Sequence, residues 1–473
     1  MSNVGTNRPS TKTSGTGGVH VHFGARARLA MKVKVISRDK RDFTASGKGH
    51  LTPVQRRLQP DQHPFERARE YKRALNTVKL NKHFAKPFVG AMEGHLDGVQ
   101  CMAKSPASLA TIISGSCDGE IRRWNISERR TLWRSSAHSG FVRGVAFSRS
   151  GHHFVTASDD KTVKLWSSSA SADSSEPITK FLGKHAFTDV DHQHKENVFA
   201  TGGASLMLWD TSRSDPLQSF EWGADTITRV RFNPAQHNLV GCLSADRSVT
   251  LYDMSVGSAM QKMTMQTKAN AMCWNPREPM HFTVASEDHD LYTFDMRKLD
   301  HAICLHAGHV SAELDLDYAP TGLQFVSASY DKTIRIWNVG ERKAHEVYHT
   351  KRMQRLSCVR WSMDADYILS GSDDTNVRLW RAVANQRGTA LLDREKKKRE
   401  YQEAVVDKFK YMPEVKRIKN HTHVPKGVMK AARVKETVRG TQKKREKNKR
   451  AHSKVGTVPK TKREKKHVWK VQT

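Results

Sequence analysis

The sequence predicts an all-β fold, a seven-bladed β-propeller carrying basic N-terminal and helical C-terminal extensions. Three observations lead there. An aromatic residue closes a short apolar strand seven times, at Trp124, Trp166, Trp209, Tyr252, Phe294, Trp337 and Trp380, with successive separations of 42 or 43 residues. An Asp precedes six of these by six positions: Asp118, Asp160, Asp246, Asp288, Asp331 and Asp374. Charge divides the chain at the same places: residues 87–386 hold 32 Lys/Arg against 34 Asp/Glu, and both ends are strongly basic. Repeats of roughly 40–45 residues with this ending build propeller blades.

The best-formed units read Ser-Ala-Ser-Tyr-Asp-Lys-Thr-Ile-Arg-Ile-Trp-Asn (327–338) and Thr-Ala-Ser-Asp-Asp-Lys-Thr-Val-Lys-Leu-Trp-Ser (156–167). Small residues make one strand, and the Asp-Lys or Asp-Gly step makes a tight turn. The next strand alternates, Ile334 and Ile336 against Arg335, Val163 and Leu165 against Lys164. Period two marks a half-buried strand. Several units open on a histidine: Gly94-His95, Ala137-His138, Lys184-His185 and Gly308-His309.

These units resemble WD repeats. The resemblance implies that the opening His, a strand Ser or Thr, the turn Asp and the closing Trp form a buried hydrogen-bonded set. Structural roles then fall to His95, Asp118 and Trp124, to His138, Asp160 and Trp166, to His309, Asp331 and Trp337, and to Asp374 and Trp380. Reading the same His and Asp residues as ligands or an acid–base pair is the weaker alternative, because buried polar groups must be paired. Three units depart from the pattern. Gly202-Gly203 stands where a turn Asp belongs, and Tyr252 and Phe294 replace the closing Trp. Those blades are expected to be less rigid, or braced by a partner. Residues Pro87–Met92 precede the first Gly-His and are expected to add the outer strand of the last blade, removing an open edge.

At 473 residues the chain exceeds one ordinary domain, but a propeller accounts for residues 87–386. A globule of that size buries roughly three-quarters of its unfolded surface and needs no staple. The six cysteines (101, 117, 242, 273, 304, 358) form no Cys-x-x-Cys pair. That argues for a reducing compartment and against a disulfide framework or a zinc site. No run of 18 apolar residues occurs, so no membrane span is expected.

Residues 1–30 contain no acid and are rich in Gly, Ser and Thr, the composition of a disordered basic arm. A transit peptide would share that composition, but no amphipathic face is visible. Residues 31–86 form an N-terminal extension. With the arm they hold 19 Lys/Arg against 5 Asp/Glu. A helix is expected over 64–80, opened by Pro64 and spaced by Phe65, Ala68, Tyr71, Leu75 and Val78. Its position suggests that it lies against the propeller rim.

Residues 387–473 hold 29 Lys/Arg against 9 Asp/Glu. A long helix is expected over 388–411, with Leu391, Leu392, Tyr401, Val405 and Phe409 near one side. A proline-bounded segment (413–425), a shorter helix over about 426–438 and a basic tail follow. Such a segment repels itself unless a polyanion neutralises it. The candidate phosphate-binding residues are Arg394, Lys396, Lys397, Lys398, Arg399, Lys416, Arg417, Lys419, Lys443, Lys444, Arg445, Lys462, Arg463, Lys465 and Lys466. Tyr401, Phe409, Tyr411 and Trp469 are candidate stacking residues, most of them better read as helix packing.

A second resemblance rests on the flanks. Met31-Lys-Val-Lys34, His63-Pro-Phe-Glu-Arg-Ala-Arg-Glu-Tyr71, Phe84-Ala-Lys-Pro-Phe-Val89 and Arg417-Ile418-x-x-His421-x-His423-Val424-Pro425 are similar to WD-repeat proteins with a Sof-type C-terminal domain. The match spans Met31 to about residue 440. It implies a non-enzymatic ribosome assembly factor of the small-subunit processome, acting in early pre-rRNA processing and 18S rRNA maturation. Pre-ribosomal RNA, small nucleolar RNA and other processome proteins would be its partners, in the nucleolus. The sequence itself shows no nucleophile motif and no Gly-rich phosphate loop. His421 and His423, with no Cys or acid nearby, are a weak ligand pair, so neither cofactor nor metal is expected.

Two rivals remain. Substrate receptors of cullin-RING ubiquitin ligases carry Trp-Asp-x-Arg at a blade end, where Asp and Arg meet the ligase adaptor. Here Trp209-Asp210-Thr211-Ser212 lacks the Arg and Phe294-Asp295-Met296-Arg297 lacks the Trp, leaving Asp295 and Arg297 as a partial match. The other rival is a histone- or chromatin-binding propeller whose basic ends lie on DNA.

Overall fold

The computed structural model describes residues 65–168, 176–221, 225–385, 392–454, 456–458 and 467–472. The expectations for the arm 1–30, for Met31–Lys34 and for Lys462, Arg463, Lys465 and Lys466 fall outside those residues. The described chain forms two compact units. The smaller holds the residues up to Arg73 together with Leu392–Lys408; the larger holds the rest.

Most of the larger unit is a seven-bladed β-propeller. Each blade is an antiparallel sheet, in blade one Val99–Lys104, Thr111–Ser116, Glu120–Asn125 and Arg130–Ser136 from inside outward. The other inner strands are Val142–Phe147, Asp189–His192, Ile227–Phe232, Ala269–Trp274, Glu313–Tyr318 and Leu356–Trp361. Ring closure follows the sequence expectation. Strand Phe88–Met92 pairs with Val377–Arg381, Phe88 opposite Trp380, as the outer strand of blade seven.

In blades one, two, four and six the turn Asp explains why the blade bends where it does. Its carboxylate accepts the backbone N–H two residues on: Glu120 to Asp118 (2.9 Å), Thr162 to Asp160 (2.9 Å), Ser248 to Asp246 (3.0 Å) and Thr333 to Asp331 (3.0 Å). The residue between is left-handed in all six cases, from Lys332 at φ 62° to Gly119 at φ 84°. That Asx geometry compensates the strain a side chain meets there. At Gly119 no side chain is possible, since a Cβ would lie 2.0 Å from the His138 carbonyl oxygen.

The hydrogen-bonded set is complete in two blades. His138 joins Asp160 (2.9 Å) and Thr156 (2.9 Å), and Trp166 donates to Thr156 (3.0 Å). His309 joins Asp331 (2.9 Å) and Ser327 (2.7 Å), and Trp337 donates to Ser327 (2.9 Å). Burial lowers the His309 pKa. The Asp331 carboxyl, although buried, is held below its ordinary range by the His309 ring. Blade one departs from expectation. His95 reaches Ser114 (2.6 Å), but its other nitrogen faces Glu120 at 3.5 Å, and Asp118 stays at its turn. Blade seven keeps the Trp380 bond to Ser370 (2.9 Å), while Asp374 pairs with Arg378. His185 is exposed.

Aromatic stacking joins the strands within a blade, and ionic pairs join blades at the inner ring. Each closing Trp stacks on a Phe of the adjoining strand in blades two, three and six, with Phe154–Trp166, Phe199–Trp209 and Phe325–Trp337 centroids 6.2, 6.3 and 6.2 Å apart. On the inner strands, two Asp-x-Asp steps grip the next blade. Asp189 accepts Val230 N–H (3.1 Å) and Arg231 (2.7 Å), and Asp191 accepts Phe232 N–H (2.8 Å). Asp315 accepts Val359 N–H (3.0 Å) and Arg360 (2.7 Å), and Asp317 accepts Trp361 N–H (2.7 Å). The same clamp therefore joins blade three to four and six to seven. Removing one partner from such a pair leaves a buried charge unpaired. Arg360→Met should destabilise the protein by about 3–5 kcal/mol in urea unfolding, and Arg360→Met with Asp315→Leu by less.

Candidate nucleic-acid interface

Helix α1, Glu66–His83, begins just after Pro64, with Glu66 in its first turn and Lys82 and His83 in its last, complementing the helix dipole. Its buried stripe is Glu70, Ala74 and Val78, so the face is rotated from the expected one: Phe65 and Ala68 are exposed. Lys82 pairs with Glu346 on the outer strand of blade six at 2.8 Å. In the smaller unit, Glu70 pairs with Lys408 at 2.5 Å and Arg73 donates to Tyr401 at 3.4 Å. Glu70 is buried, so an ionic contact takes the place of an apolar one on this stripe.

Helix α2, Asp393–Lys408, buries Val405 and Val406 near its end. It presents Arg394, Lys396, Lys397 and Lys398 to solvent, with Arg399 half-buried and paired to Glu403 at 3.0 Å. Leu392 is exposed, against expectation, whereas Phe409 is buried. Helix α3, Pro413–Lys419, starts on its proline, buries Val415 and exposes Lys416 and Arg417, with Lys419 half-buried. After it, His423 meets His349 at 3.0 Å, tying the proline-bounded loop to the segment before the inner strand of blade seven. Neither ring has a second ligand-type neighbour in that contact. Among the described residues, His95, Asp118 and Glu120 bring three possible ligand atoms within 4.8 Å, but Arg122 already serves Glu120 at 2.8 Å.

Helix α4 runs Lys426–Ala451, twice the expected length, and buries no residue. Lys, Arg, Gln and Glu sustain a helix without an apolar stripe. Lys443, Lys444 and Arg445 lie within a stretch, 441–449, that is exposed at every position. Lys435 and Arg439 instead turn back onto Asp290 of blade five. Of the aromatic candidates, Tyr411 (80 % exposed) and Trp469 (74 %) are open to solvent, and Phe409 and Tyr401 are packed or half-buried.

The chain's last described residues form a strand that sequence reasoning missed. Val468–Gln472 pairs with the outer strand of blade four, Ser258–Met265, making that sheet five-stranded. Val468 and Val471 pack on the core shared by blades four and five. His467 lies 2.8 Å from the Tyr292 hydroxyl and 3.4 Å from Asp288. The atypical blades four and five are thus braced by this chain's own C-terminal residues.

Asp295 ends a strand of blade five, and Arg297 closes a fork on its carboxylate at 3.0 and 3.1 Å, with the guanidinium largely exposed. Burial raises the pKa of the Cys101, Cys242, Cys273 and Cys358 thiols, and all six cysteines are free. Burial therefore makes those four thiols poor nucleophiles.

WD domain, G-beta repeats match residues 86–125, 129–167, 302–338 and 344–381, and a Sof1-like domain matches 382–468. DDB1- and CUL4-associated factor 13 of Xenopus laevis is 45 % identical over 443 residues, covering 93 % of this chain and 100 % of that protein. The human protein of that name is 46 % identical over 440 residues, covering 93 % and 99 %. Protein SOF1 of Saccharomyces cerevisiae is 42 % identical over 445 residues, covering 89 % and 91 %. The chain belongs to the Sof1-like WD-repeat family. In this Sof1-like chain the matched repeats fall on blades one, two, six and seven, and blades three to five are those that depart from the repeat. The Sof1-like match spans α2, α3 and α4 and ends on Val468, the first residue of the added strand. Replacing Val468 and Val471 with Asp should lower the melting temperature and leave the Ser258–Met265 edge unpaired, with aggregation seen by light scattering.

Proposed function

We propose that this protein is a non-enzymatic assembly factor of the nucleolar small-subunit processome, supporting early pre-rRNA processing. The propeller serves as a protein scaffold and the basic extensions contact RNA. Its place in the Sof1-like family supports the reading, and the observation that carries it is the charge partition: a near-neutral propeller, with Arg394, Lys396, Lys397, Lys398, Lys416, Arg417, Lys443, Lys444 and Arg445 exposed on α2, α3 and α4. Exposed lysines on helices grip phosphates without reading bases. Tyr411 and Trp469 supply exposed rings on which unpaired bases stack. With about eight phosphates engaged, the log–log salt slope of binding to single-stranded RNA should be near −6, and Lys443→Gln, Lys444→Gln and Arg445→Gln together should reduce it by about 2. An unchanged slope would refute the assignment of these residues. Charge substitution is the sharper experiment here, because deleting 387–473 also strips the fifth strand from blade four. In-cell crosslinking that maps to pre-ribosomal and small nucleolar RNA separates this reading from the histone- or chromatin-binding one, which calls for recovery with chromatin after ribonuclease.

A second reading is favoured by one observation, the exposed Asp295–Arg297 fork at the end of a blade-five strand. The vertebrate relatives are named as DDB1- and CUL4-associated, so we include a receptor role for a cullin-RING ligase, with this pair meeting the adaptor. Arg297→Ala should then lose adaptor recovery in a pull-down while salt-dependent RNA binding is retained. Equal recovery of variant and wild type removes the pair from that role.

A further inference from the structure

The place where α4 meets the propeller holds more acid than α4 satisfies. Lys435 Nζ donates to the carbonyl oxygens of His309 (3.1 Å) and His289 (3.4 Å) and lies 3.4 Å from Asp290. Arg439 reaches the other Asp290 oxygen at 2.5 Å. Asp290 is 1 % exposed and Glu313, at the start of the inner strand of blade six, is 0 % exposed. Neither carboxyl oxygen of Glu313 has a hydrogen-bond partner among the described residues. Neighbouring acids are already engaged: Asp288 by Tyr292 and His467, Asp331 by His309 and Thr333. Burial, then Asp290, Asp288 and Asp331, push the Glu313 carboxyl well above its ordinary pKa, and Lys435 acts in the other direction.

We propose that this acidic pit between blades five and six is a docking site for a lysine- or arginine-bearing segment of a partner protein, and that Lys435 and Arg439 of α4 fill it in the isolated chain. Three features on the molecule point to that occupant. Two carbonyl oxygens and a carboxylate converging on one ammonium match the three donors of a lysine. The pit is anionic, so it repels the phosphates that the rest of α4 suits. The resident helix leaves the most buried carboxyl without a partner, and a buried polar group lacking one favours a ligand that supplies it. Because α4 buries no residue, lifting it uncovers little apolar surface. This surface is separate from the RNA-contacting role and stands whether or not that role does.

The test uses the full-length protein. Lys435→Ala with Arg439→Ala opens the pit, and the probe is a fluorescein-labelled peptide of residues 426–451. A control peptide carries Lys435→Met and Arg439→Gln and keeps the cations at 443–450. The opened chain should bind the probe about tenfold tighter than wild type does, and about tenfold tighter than it binds the control peptide. Glu313→Gln in the opened chain should weaken the probe by about fivefold. Equal binding by wild type and opened chain, equal binding of both peptides, or no effect of Glu313→Gln overturns the proposal. Lys435→Gln alone, which keeps the Arg439 contact, gives a second opened variant, and melting curves of each variant confirm that it is folded.

Discussion

A carboxylate taken out of water must find a cation or a row of N–H donors, and this molecule is organised around where its carboxylates find them. On the inner ring, Asp189 and Asp315 each take an arginine and a backbone N–H from the next blade, so the joint between blades is specified by charge as well as shape. At the blade turns, Asp118, Asp160, Asp246 and Asp331 each accept a backbone N–H two residues on, and that local bond holds the left-handed residue that reverses the chain. A ring of seven sheets has no single core, and these repeated local solutions keep its parts in register.

The same requirement links the near-neutral propeller to its basic appendages. Asp290 takes Lys435 and Arg439, and Asp288 takes His467. Cations that look surplus in the composition are therefore of two kinds. Some hold helices and the final strand in place, and others, along 441–449 and at Arg394, Lys396, Lys398, Lys416 and Arg417, are exposed to solvent. The helix α4 contains both kinds, with its anchor in the middle and the exposed stretch 441–449 after it.

Much of the propeller was legible because the repeat writes each blade's geometry in adjacent residues: Asp331, Lys332 and Trp337 specify a turn and a strand within a dozen positions. What lay outside that window was not legible. The Asp-x-Asp clamps join residues 41–45 positions apart, and although Asp189-Val-Asp191 with Val230-Arg-Phe232 is echoed by Asp315-Leu-Asp317 with Val359-Arg-Trp361, no local pattern announces the pairing. The extent of α4 was hidden because apolar spacing ends at Val438 while helix-forming Lys, Arg and Gln continue. The sequence named Lys443 and Lys444 as phosphate candidates, and both are exposed, but nothing in it marked Lys435 and Arg439 as the residues that take Asp290. The strand Val468–Gln472 alternates too briefly to stand out, and its partner edge on blade four carries no mark of being open.

Ring closure by Phe88–Met92 has a temporal consequence. This strand is made before every other propeller strand, and its partner, Val377–Arg381, is made almost three hundred residues later. Until Val377–Arg381 is made the nascent polypeptide must carry an unlatched ring, and Val468–Gln472 joins blade four only after all seven blades have been synthesised. A stop codon between the last repeat and Val468 therefore removes a strand from blade four while leaving all seven repeats intact.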